Sequence, residues 1–326
     1  MLITDHTSVD KDNKLIVMLD ASATKESSCS LRLFNTVIGG YTGKVQSNDI
    51  EFGSAFHKFK ARFKMEGKDG FATGIREAQH YFNTTPMYVK PQKKYLDSAF
   101  LVNACIGYVT KYENDSFKVV SEDGKPFIEL PFCFPIYVDD LVEILACGTI
   151  DEIGKFQNGI YSIEDLKTTS MWNVDEYLES YRLSPQLYFY RWTIRQYALA
   201  KPNSLMATID QSEVGCHISG VFFKGKDKEI EYRRGDVMLF KEKEIKEFEI
   251  LLNRTIVKLV EMAHDWIKDG TLPLREGMLN GACSTVYGPC KFACACGTTD
   301  ETTRDIVMQQ SFIQRFYDPL SFGGHK

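Results

Sequence analysis

The sequence contains no run of about 18 or more apolar residues, so a membrane-spanning helix is not expected. Its first 19 residues are polar and acidic before a short apolar patch at Leu15–Leu19. They lack the basic start, the long apolar stretch and the small-residue cleavage site of a secretory signal. We therefore expect a cytoplasmic protein that does not contact a membrane.

Basic residues are not in excess either, since the net charge is −5 and the isoelectric point is about 5.8. A protein that coats nucleic acid needs many lysines and arginines to neutralise phosphates. This composition argues against such a protein and confines any nucleic-acid contact to a local basic groove. The length of 326 residues suits one large domain, or one core with a sizeable insertion.

Nine cysteines are present, and four of them fall within the segment Cys283–Cys296. Disulfides are a poor explanation for this clustering in a chain without a secretion signal. Four thiolates can hold an iron–sulfur cluster or a zinc ion, and the spacing alone does not decide between them. The four cysteines with apolar neighbours are expected in the core: Cys105, Cys133, Cys147 and Cys216.

Hydrophobic periodicity predicts an α/β chain. Phenylalanines recur at helical spacing in residues 52–64, and two further helical stretches follow near 74–82 and 96–112. Apolar, β-favouring residues predict a hairpin of strands 144–153 and 160–168, joined by a turn at 154–159. The remaining predicted elements are a helix that begins at Ser184-Pro185 and runs to about 200, short strands at 205–209 and 220–224, and a long helix at about 241–268.

Two carboxylates and a lysine are expected to lie close together on the two strands of this hairpin. Side chains alternate along a strand, so Asp165 and Lys167 share one face, and the hairpin brings Asp151 beside Asp165. Converging carboxylates suit Mg²⁺ or Mn²⁺. A lysine beside them can orient water or stabilise negative charge in phosphodiester hydrolysis. A solvated ion pair is the ordinary alternative, but Asp151 lies in an apolar strand, where an unpaired carboxylate is costly.

Four short motifs surround these residues in a fixed order. They are Gly53-Ser-Ala-Phe-His57, Gly148-Thr-Ile-Asp151, Asp165-Leu-Lys167-Thr168 and Gln186-Leu-Tyr-Phe-Tyr190. Their order resembles the PD-(D/E)XK nuclease superfamily, in its RecB-like iron–sulfur branch. That branch includes the nuclease domains of RecB and AddB, CRISPR-associated RecB-like exonucleases and phage exonucleases. Each motif is weak alone, and the four together are specific.

The resemblance implies a restriction-endonuclease-like α/β core, with a small central mixed sheet flanked by helices. It implies that the metal ligands are His57, Asp151 and Asp165, with the Leu166 backbone carbonyl as an additional candidate. It makes Asp151, Asp165 and Lys167 catalytic, and it implies that Gln186 and Tyr190 contact DNA or brace the site. Glu129 is similar to an acidic residue that some relatives have ahead of the second motif, and a surface glutamate is an equal alternative.

The cysteines extend the resemblance. The iron–sulfur branch uses one cysteine near the N-terminus and three near the C-terminus to hold a [4Fe-4S] cluster. The residues implied here are Cys29, in a Cys-x-x-Arg segment, with Cys283, Cys290 and Cys296. Cys294 could take the place of Cys296, and Zn²⁺ held by the four C-terminal cysteines is the alternative.

We therefore expect a single nuclease domain over residues 1–296, with a helical insertion at about 65–126, a cysteine segment at 283–296 and a C-terminal tail at 297–326. The expected activity is metal-dependent DNA hydrolysis, by an exonuclease acting on single-stranded or resected ends in a bacterial or phage-infected cell. The alternatives are a non-catalytic iron–sulfur DNA-binding subunit of a repair or recombination complex, and an RNA-directed nuclease. Gly39–Lys44 lacks the spacing of a phosphate-binding loop, so a helicase or recombination partner would supply any motor.

Overall fold

The structure is a computed structural model, and it describes residues 14–44, 48–84, 96–171, 173–224, 229–285, 288–298 and 300–315. Contacts divide the chain into two compact units. The first unit comprises Met1–Lys44, Pro131–Gly148 and Lys246–Lys326, and the second comprises Val45–Leu130 and Thr149–Ile245. The single nuclease domain expected over 1–296 stays a prediction. Parts of the expected insertion (85–95) and tail (316–326) lie outside the described residues.

The chain is α/β, with a mixed central sheet flanked by helices. The strands are β1 (Leu15–Leu19), β2 (Tyr41–Gly43), β3 (Phe117–Val119), β4 (Ser121–Glu122), β5 (Lys125–Pro126), β6 (Ile128–Val138), β7 (Val142–Phe156), β8 (Tyr161–Thr169), β9 (Val214–Lys224), β10 (Glu229–Arg234), β11 (Met238–Leu239), β12 (Ser284–Thr285), β13 (Gly288–Pro289) and β14 (Phe312–Gln314). The helices are α1 (Ser30–Leu33), α2 (Asn48–Glu66), α3 (Gly70–Thr84), α4 (Ser98–Lys111), α5 (Val174–Glu179), α6 (Pro185–Ala200), α7 (Leu205–Gln211), α8 (Glu242–Asp269), α9 (Gly277–Asn280), α10 (Ala293–Cys296) and α11 (Glu301–Ser311).

The strands of each unit pair in a different way. In the first unit, β1 runs parallel to residues 142–146 of β7, and β2 pairs antiparallel with β14. In the second unit, residues 152–155 of β7 pair antiparallel with β8, and β8 pairs parallel with β9 over nine residues. Both β10 and β11 pair antiparallel with β9. Strand β8 therefore has a partner on each side, so its backbone is held along its length.

Aromatic packing holds helices α2, α3 and α4 together in the second unit. Phe52 packs within 6 Å, centre to centre, of the rings of Phe82, Phe100 and Phe223. The spacing of the phenylalanines puts them on one helical face, and Leu166 of β8 belongs to the same buried cluster. This packing brings α2 against β8, which positions His57 beside the second strand of the hairpin.

Most predicted elements are confirmed by the structure, and their bounds shift by a few residues. Helices α2, α6 and α8 correspond to the predicted helices, and β7 and β8 form the predicted hairpin. Strand β7 continues through Gly154 to Phe156, so the turn is shorter than expected. The strand predicted at 205–209 is wrong, because this segment is helix α7. The Ser204 side chain caps it by accepting a hydrogen bond from the Ala207 amide at 3.2 Å.

The C-terminal tail contains two elements that sequence periodicity did not predict. Asp300 caps helix α11 by accepting a hydrogen bond from the Thr303 amide at 2.7 Å. Strand β14 follows directly and pairs with β2. Within the part of the chain that the structure describes, no helix combines the length and apolarity needed to cross a bilayer.

We expect Gly148→Ala to destabilise the first unit by about 1–3 kcal/mol. Gly148 has φ +155°, which other residues rarely adopt, and a methyl group there would lie 2.8 Å from the Phe132 ring. Urea unfolding followed by circular dichroism measures the change. Gly235→Ala is the matched control, because its methyl group would have no neighbour closer than 3.6 Å. Equal unfolding midpoints for the two variants would contradict the explanation.

Candidate metal centre

The residues of the candidate site come from five elements of the second unit. Helix α2 carries His57, strand β6 carries Glu129, strand β7 carries Asp151, strand β8 carries the Asp165–Lys167 segment, and α6 carries Gln186. The β7–β8 register pairs Glu152 with Glu164, and continuing it by one residue sets Asp151 opposite Asp165. The hairpin geometry expected from the sequence therefore exists in the structure.

Three side chains converge at the edge of this hairpin. Ligand atoms of His57, Glu129 and Asp151 all lie within 4.8 Å of one another. The Nδ1 atom of His57 is 3.4 Å from Asp151 Oδ2 and 3.8 Å from Glu129 Oε1, and its Nε2 atom is 3.1 Å from the Leu166 carbonyl oxygen. One imidazole nitrogen and two carboxylates therefore face one point, and donor sets of this kind suit a divalent cation. The Leu166 carbonyl contacts the other nitrogen of the ring.

Asp165 lies beside this group and is turned toward other partners. Its Oδ2 atom is 2.7 Å from Lys167 Nζ, and its Oδ1 atom accepts a hydrogen bond from Gln186 Nε2 at 3.2 Å. Gln186 also donates to the Tyr190 hydroxyl at 2.9 Å. Gln186 and Tyr190 are both buried. Of the two roles expected for them, DNA contact or support of the site, this geometry favours support.

A backbone hydrogen bond fixes Asp151 relative to β8. Its Oδ2 atom accepts from the Leu166 amide at 2.9 Å, while the carbonyl of the same residue approaches His57. Both polar groups of the Leu166 backbone thus point into the site, and its side chain is buried in the aromatic cluster. The core contact of Leu166 therefore anchors the polar groups of the site.

Burial and charge act in opposite directions on the titratable groups here. Burial lowers the pKa of His57, but Asp151 and Glu129 outweigh it, and the pKa is raised. For Asp165 the effect of burial is the opposite, and it raises the pKa. The charge of Asp151 raises this pKa further, while Lys167 lowers it. Burial opposes the charge of Lys167, yet Asp165 and Asp151 together raise its pKa. The site therefore holds Lys167 as a cation beside a concentration of negative charge.

Glu129 is the residue whose place in the site the sequence left undecided. Its backbone has φ +47°, an uncommon value for a residue with a side chain. Such strained conformations persist where the surrounding structure imposes them, and they are frequent at functional sites. The Glu129 carboxylate lies 3.8 Å from Nδ1 of His57. Backbone strain cannot be read from a single sequence, and the only signal for Glu129 was its similarity to an acidic residue that some relatives have ahead of the second motif.

Two tyrosines of the α5 region lie beside the lysine and were not predicted. Lys167 Nζ is 5.9 Å from the centre of the Tyr181 ring, and the Tyr177 and Tyr181 hydroxyls are 3.0 Å apart. Tyr177 is buried against Phe222 of β9. These rings shield the ammonium group from solvent on one side, which strengthens its interaction with Asp165.

The predicted cysteine ligands all lie in the first unit. A methyl group at Gly277 would lie 3.2 Å from Cys283 Sγ and 3.4 Å from Cys29 Sγ, so both sulfurs flank this glycine. Burial raises the pKa of the Cys296 thiol, and the neighbouring Cys290 and Cys29 raise it further. All four thiols are free of disulfides. Cys29 and Cys283, distant in sequence, thus lie on either side of a residue that has no side chain.

Hydrogen bonds join the two segments that carry these thiols. Arg32 Nη1 donates to the Ala282 carbonyl at 3.1 Å, and Asn280 Nδ2 donates to the Ser28 carbonyl at 2.5 Å. Cys294, the surplus thiol, is exposed. Cys296 is partly buried, and the choice between Cys296 and Cys294 as a ligand stays a prediction.

Comparisons with known proteins add little to this geometry. Neither a protein-family profile nor a curated protein matches the sequence. Among solved structures, the chain is similar to one titled "Crystal structure of SSO0001", at 13% identity over 72% of this chain and 84% of that one, with a TM-score of 0.25. A TM-score of this size supports no inference about fold or function, so the site is interpreted from its own residues.

We expect Glu129→Gln to lower the pKa of His57, because the substitution removes one of the two carboxylates that favour the imidazolium. An NMR titration of His57 without divalent metal measures the shift. Because Glu129 is also a candidate ligand, the variant should bind Mn²⁺ more weakly than the wild type at a pH where His57 is neutral in both proteins. Glu66→Gln is the control, because Glu66 lies on α2 like His57 but pairs with Arg62. An unchanged His57 pKa in Glu129→Gln would contradict this account of the site.

Proposed function

We propose that this chain is a divalent-metal-dependent nuclease that hydrolyses DNA phosphodiester bonds, as an exonuclease on single-stranded or resected ends. One observation carries the proposal. The His57, Glu129 and Asp151 ligand atoms lie within 4.8 Å of one another beside the Asp165–Lys167 ion pair. A metal-binding group next to a partly buried lysine is a combination suited to phosphodiester hydrolysis.

The donor set fits Mg²⁺ or Mn²⁺. His57, Glu129 and Asp151 would hold the cation. The family resemblance adds Asp165 and the Leu166 carbonyl as further candidates, although this carbonyl contacts Nε2 of His57 and not Nδ1. A divalent cation bound there lowers the pKa of a coordinated water and neutralises charge on phosphate oxygens. The hydrogen bond from the Leu166 amide holds the Asp151 carboxylate in position for this role before any ligand arrives.

Lys167 supplies the fixed positive charge. Its raised pKa keeps the ammonium group protonated, and Asp165 holds it 2.7 Å away. From this position it donates to the attacking water or to a phosphate oxygen that becomes more negative in the transition state. Gln186 fixes the other oxygen of Asp165, so the carboxylate keeps one orientation while Lys167 moves between it and the substrate.

The cysteine site is proposed to hold a [4Fe-4S] cluster through Cys29, Cys283, Cys290 and Cys296. The donor set fits, because all four thiols are free, Cys29 and Cys283 flank Gly277, and Cys296 is close enough to Cys29 and Cys290 for them to raise its pKa. Ligation would join the segment around Cys29 to the C-terminal cysteines, in addition to the hydrogen bonds that already connect them. Zinc held by the C-terminal cysteines alone would not account for the position of Cys29.

The non-catalytic alternative is a DNA-binding subunit that needs no active carboxylates. The presence and proximity of Asp151, Asp165 and Lys167 argue against it, because a binding subunit has no use for two neighbouring buried carboxylates that are costly to maintain. A helicase or recombination protein is the expected partner, because processive degradation of duplex DNA needs a motor. The cleavage assay below distinguishes a DNA-directed nuclease from the alternative of an RNA-directed nuclease.

We expect the wild type to cleave end-labelled DNA with Mg²⁺ or Mn²⁺ and not with EDTA, and we expect Lys167→Ala to lower kcat by about 100-fold or more. Asp165→Ala should abolish cleavage while the circular dichroism spectrum stays unchanged. Lys68→Ala is the matched control, because Lys68 is 91% exposed. Parallel assays with single-stranded DNA, duplex DNA and RNA identify the substrate. Metal-dependent cleavage that survives in Asp165→Ala would refute the site.

We expect anaerobically purified protein to absorb near roughly 400 nm, as thiolate-bound iron–sulfur centres do. Cys29→Ala should remove this absorbance and the bound iron, whereas Cys294→Ala, the matched control, should retain both. Gly277→Val should also reduce iron content, because its side chain would occupy the space between Cys29 and Cys283. Colourless wild-type protein with stoichiometric zinc would overturn the cluster assignment.

A further inference from the structure

A second pair of carboxylates lies next to the candidate metal ligands along the same two strands. Glu152 and Glu164 are partners in the β7–β8 register, and their exposed fractions are 1% and 0%. Because side chains alternate along a strand, they point away from Asp151 and Asp165. Two adjacent buried carboxylates repel each other and are stable only with cations close by. The proposed metal chemistry uses neither of them.

Lys60 of α2 is the cation that both glutamates share. Its Nζ atom is 2.6 Å from Glu164 Oε1 and 3.0 Å from Glu152 Oε1. The residue is only 2% exposed, which is rare for lysine without such partners. It follows Phe56 by one helical turn and therefore sits on the apolar side of α2. Its ammonium group, buried on this face, balances the charges of Glu152 and Glu164.

Lys60 contacts or belongs to three of the elements that carry candidate metal ligands, namely α2, β7 and β8. It is three residues after His57, on the same helix. It contacts Glu152, which follows Asp151 in β7, and Glu164, which precedes Asp165 in β8. One ammonium group thus holds α2, β7 and β8 at the backbone positions from which the ligands extend. A slip of one residue between the strands would separate the glutamates and move the aspartates to the wrong face.

The other partners of Glu164 connect different elements. Its Oε2 atom accepts from Ser219 Oγ at 2.7 Å and from Arg234 Nη2 at 2.8 Å, and it lies 3.0 Å from His217 Nε2. Ser219 and His217 belong to β9, and Arg234 belongs to β10. These contacts tie β8 to the far side of the sheet, whereas Lys60 ties it to β7 and α2.

We propose that Lys60 is a positioning residue of the metal centre, which sets the spacing of His57, Asp151 and Asp165 by bridging Glu152 and Glu164. The inference rests on the proposed function, because it assigns Lys60 to the same metal site. Residues that orient metal ligands without touching the metal change affinity or activity by about 10-fold to 100-fold when they are replaced. We expect an effect of that size.

The test uses a double substitution, because removing Lys60 alone leaves two buried carboxylates unbalanced and would unfold the protein. Lys60→Met with Glu152→Gln removes one charge of each sign, and Glu164 keeps Arg234 and Ser219. Lys60→Arg is the rescue variant, since a guanidinium group can bridge two carboxylates. Lys58→Met controls for loss of a lysine on an exposed position of α2, and Phe59→Leu controls for loss of buried packing.

Mn²⁺ binding measured by electron paramagnetic resonance is the primary readout, and it does not depend on cleavage. We expect the double variant to bind Mn²⁺ about 10-fold to 100-fold more weakly than the wild type. Its kcat should fall while its KM for DNA stays near the wild-type value. Lys60→Arg should be closer to wild type than to the double variant. Phe59→Leu should lose thermal stability without losing Mn²⁺ affinity, which separates positioning from general destabilisation.

Three other outcomes are distinguishable. Wild-type Mn²⁺ affinity and kcat in the folded double variant would overturn the role of Lys60 and leave the proposed nuclease intact. A loss of Mn²⁺ affinity in Phe59→Leu equal to that in the double variant would also overturn it. A wild type that binds no Mn²⁺ would refute the metal centre, and with it the role of Lys60.

Discussion

The antiparallel register between β7 and β8 is the constraint on which the candidate site depends. It pairs Glu152 with Glu164 and brings Asp151 opposite Asp165. Alternation then separates the four carboxylates into two pairs: Asp165 meets Gln186 of α6, while Glu164 meets Lys60 of α2. A different register would mix the two pairs, so neither the metal-binding group nor its supporting charges would form.

Buried negative charge explains why a lysine accompanies each pair. Two carboxylates in neighbouring strands repel each other in a medium of low dielectric constant, and each pair therefore needs a cation within contact distance. Lys167 serves the pair at the candidate metal centre, where His57 and Glu129 leave a point open to a divalent ion. Lys60 serves the other pair, where protein groups supply every contact described above. One pair thus lies beside the candidate metal group, and the other is held entirely by protein groups.

The sequence predicted long elements well and short ones poorly. Helix α2 follows from the spacing of its phenylalanines, and α6 follows from Ser184 and Pro185. Helix α7 was misassigned as a strand, because its few apolar residues show no period and the capping bond of Ser204 decides the outcome. Lys60 interrupts the apolar face of α2, and hydrophobic periodicity alone gives no reason for a charged residue at this position. Its meaning depends on Glu152 and Glu164, which belong to strands far along the chain.

By itself, the sequence determined the order of the elements and the residue types at the core of the site. Periodicity and caps act over a few residues, and the four motifs are local patterns of this kind. The tertiary structure alone decided that Glu129 joins His57, that Cys29 meets the C-terminal cysteines, and that Lys60 supports the hairpin. These contacts join residues far apart in sequence. Their geometry depends on how whole elements pack, and no local pattern of residues encodes that packing.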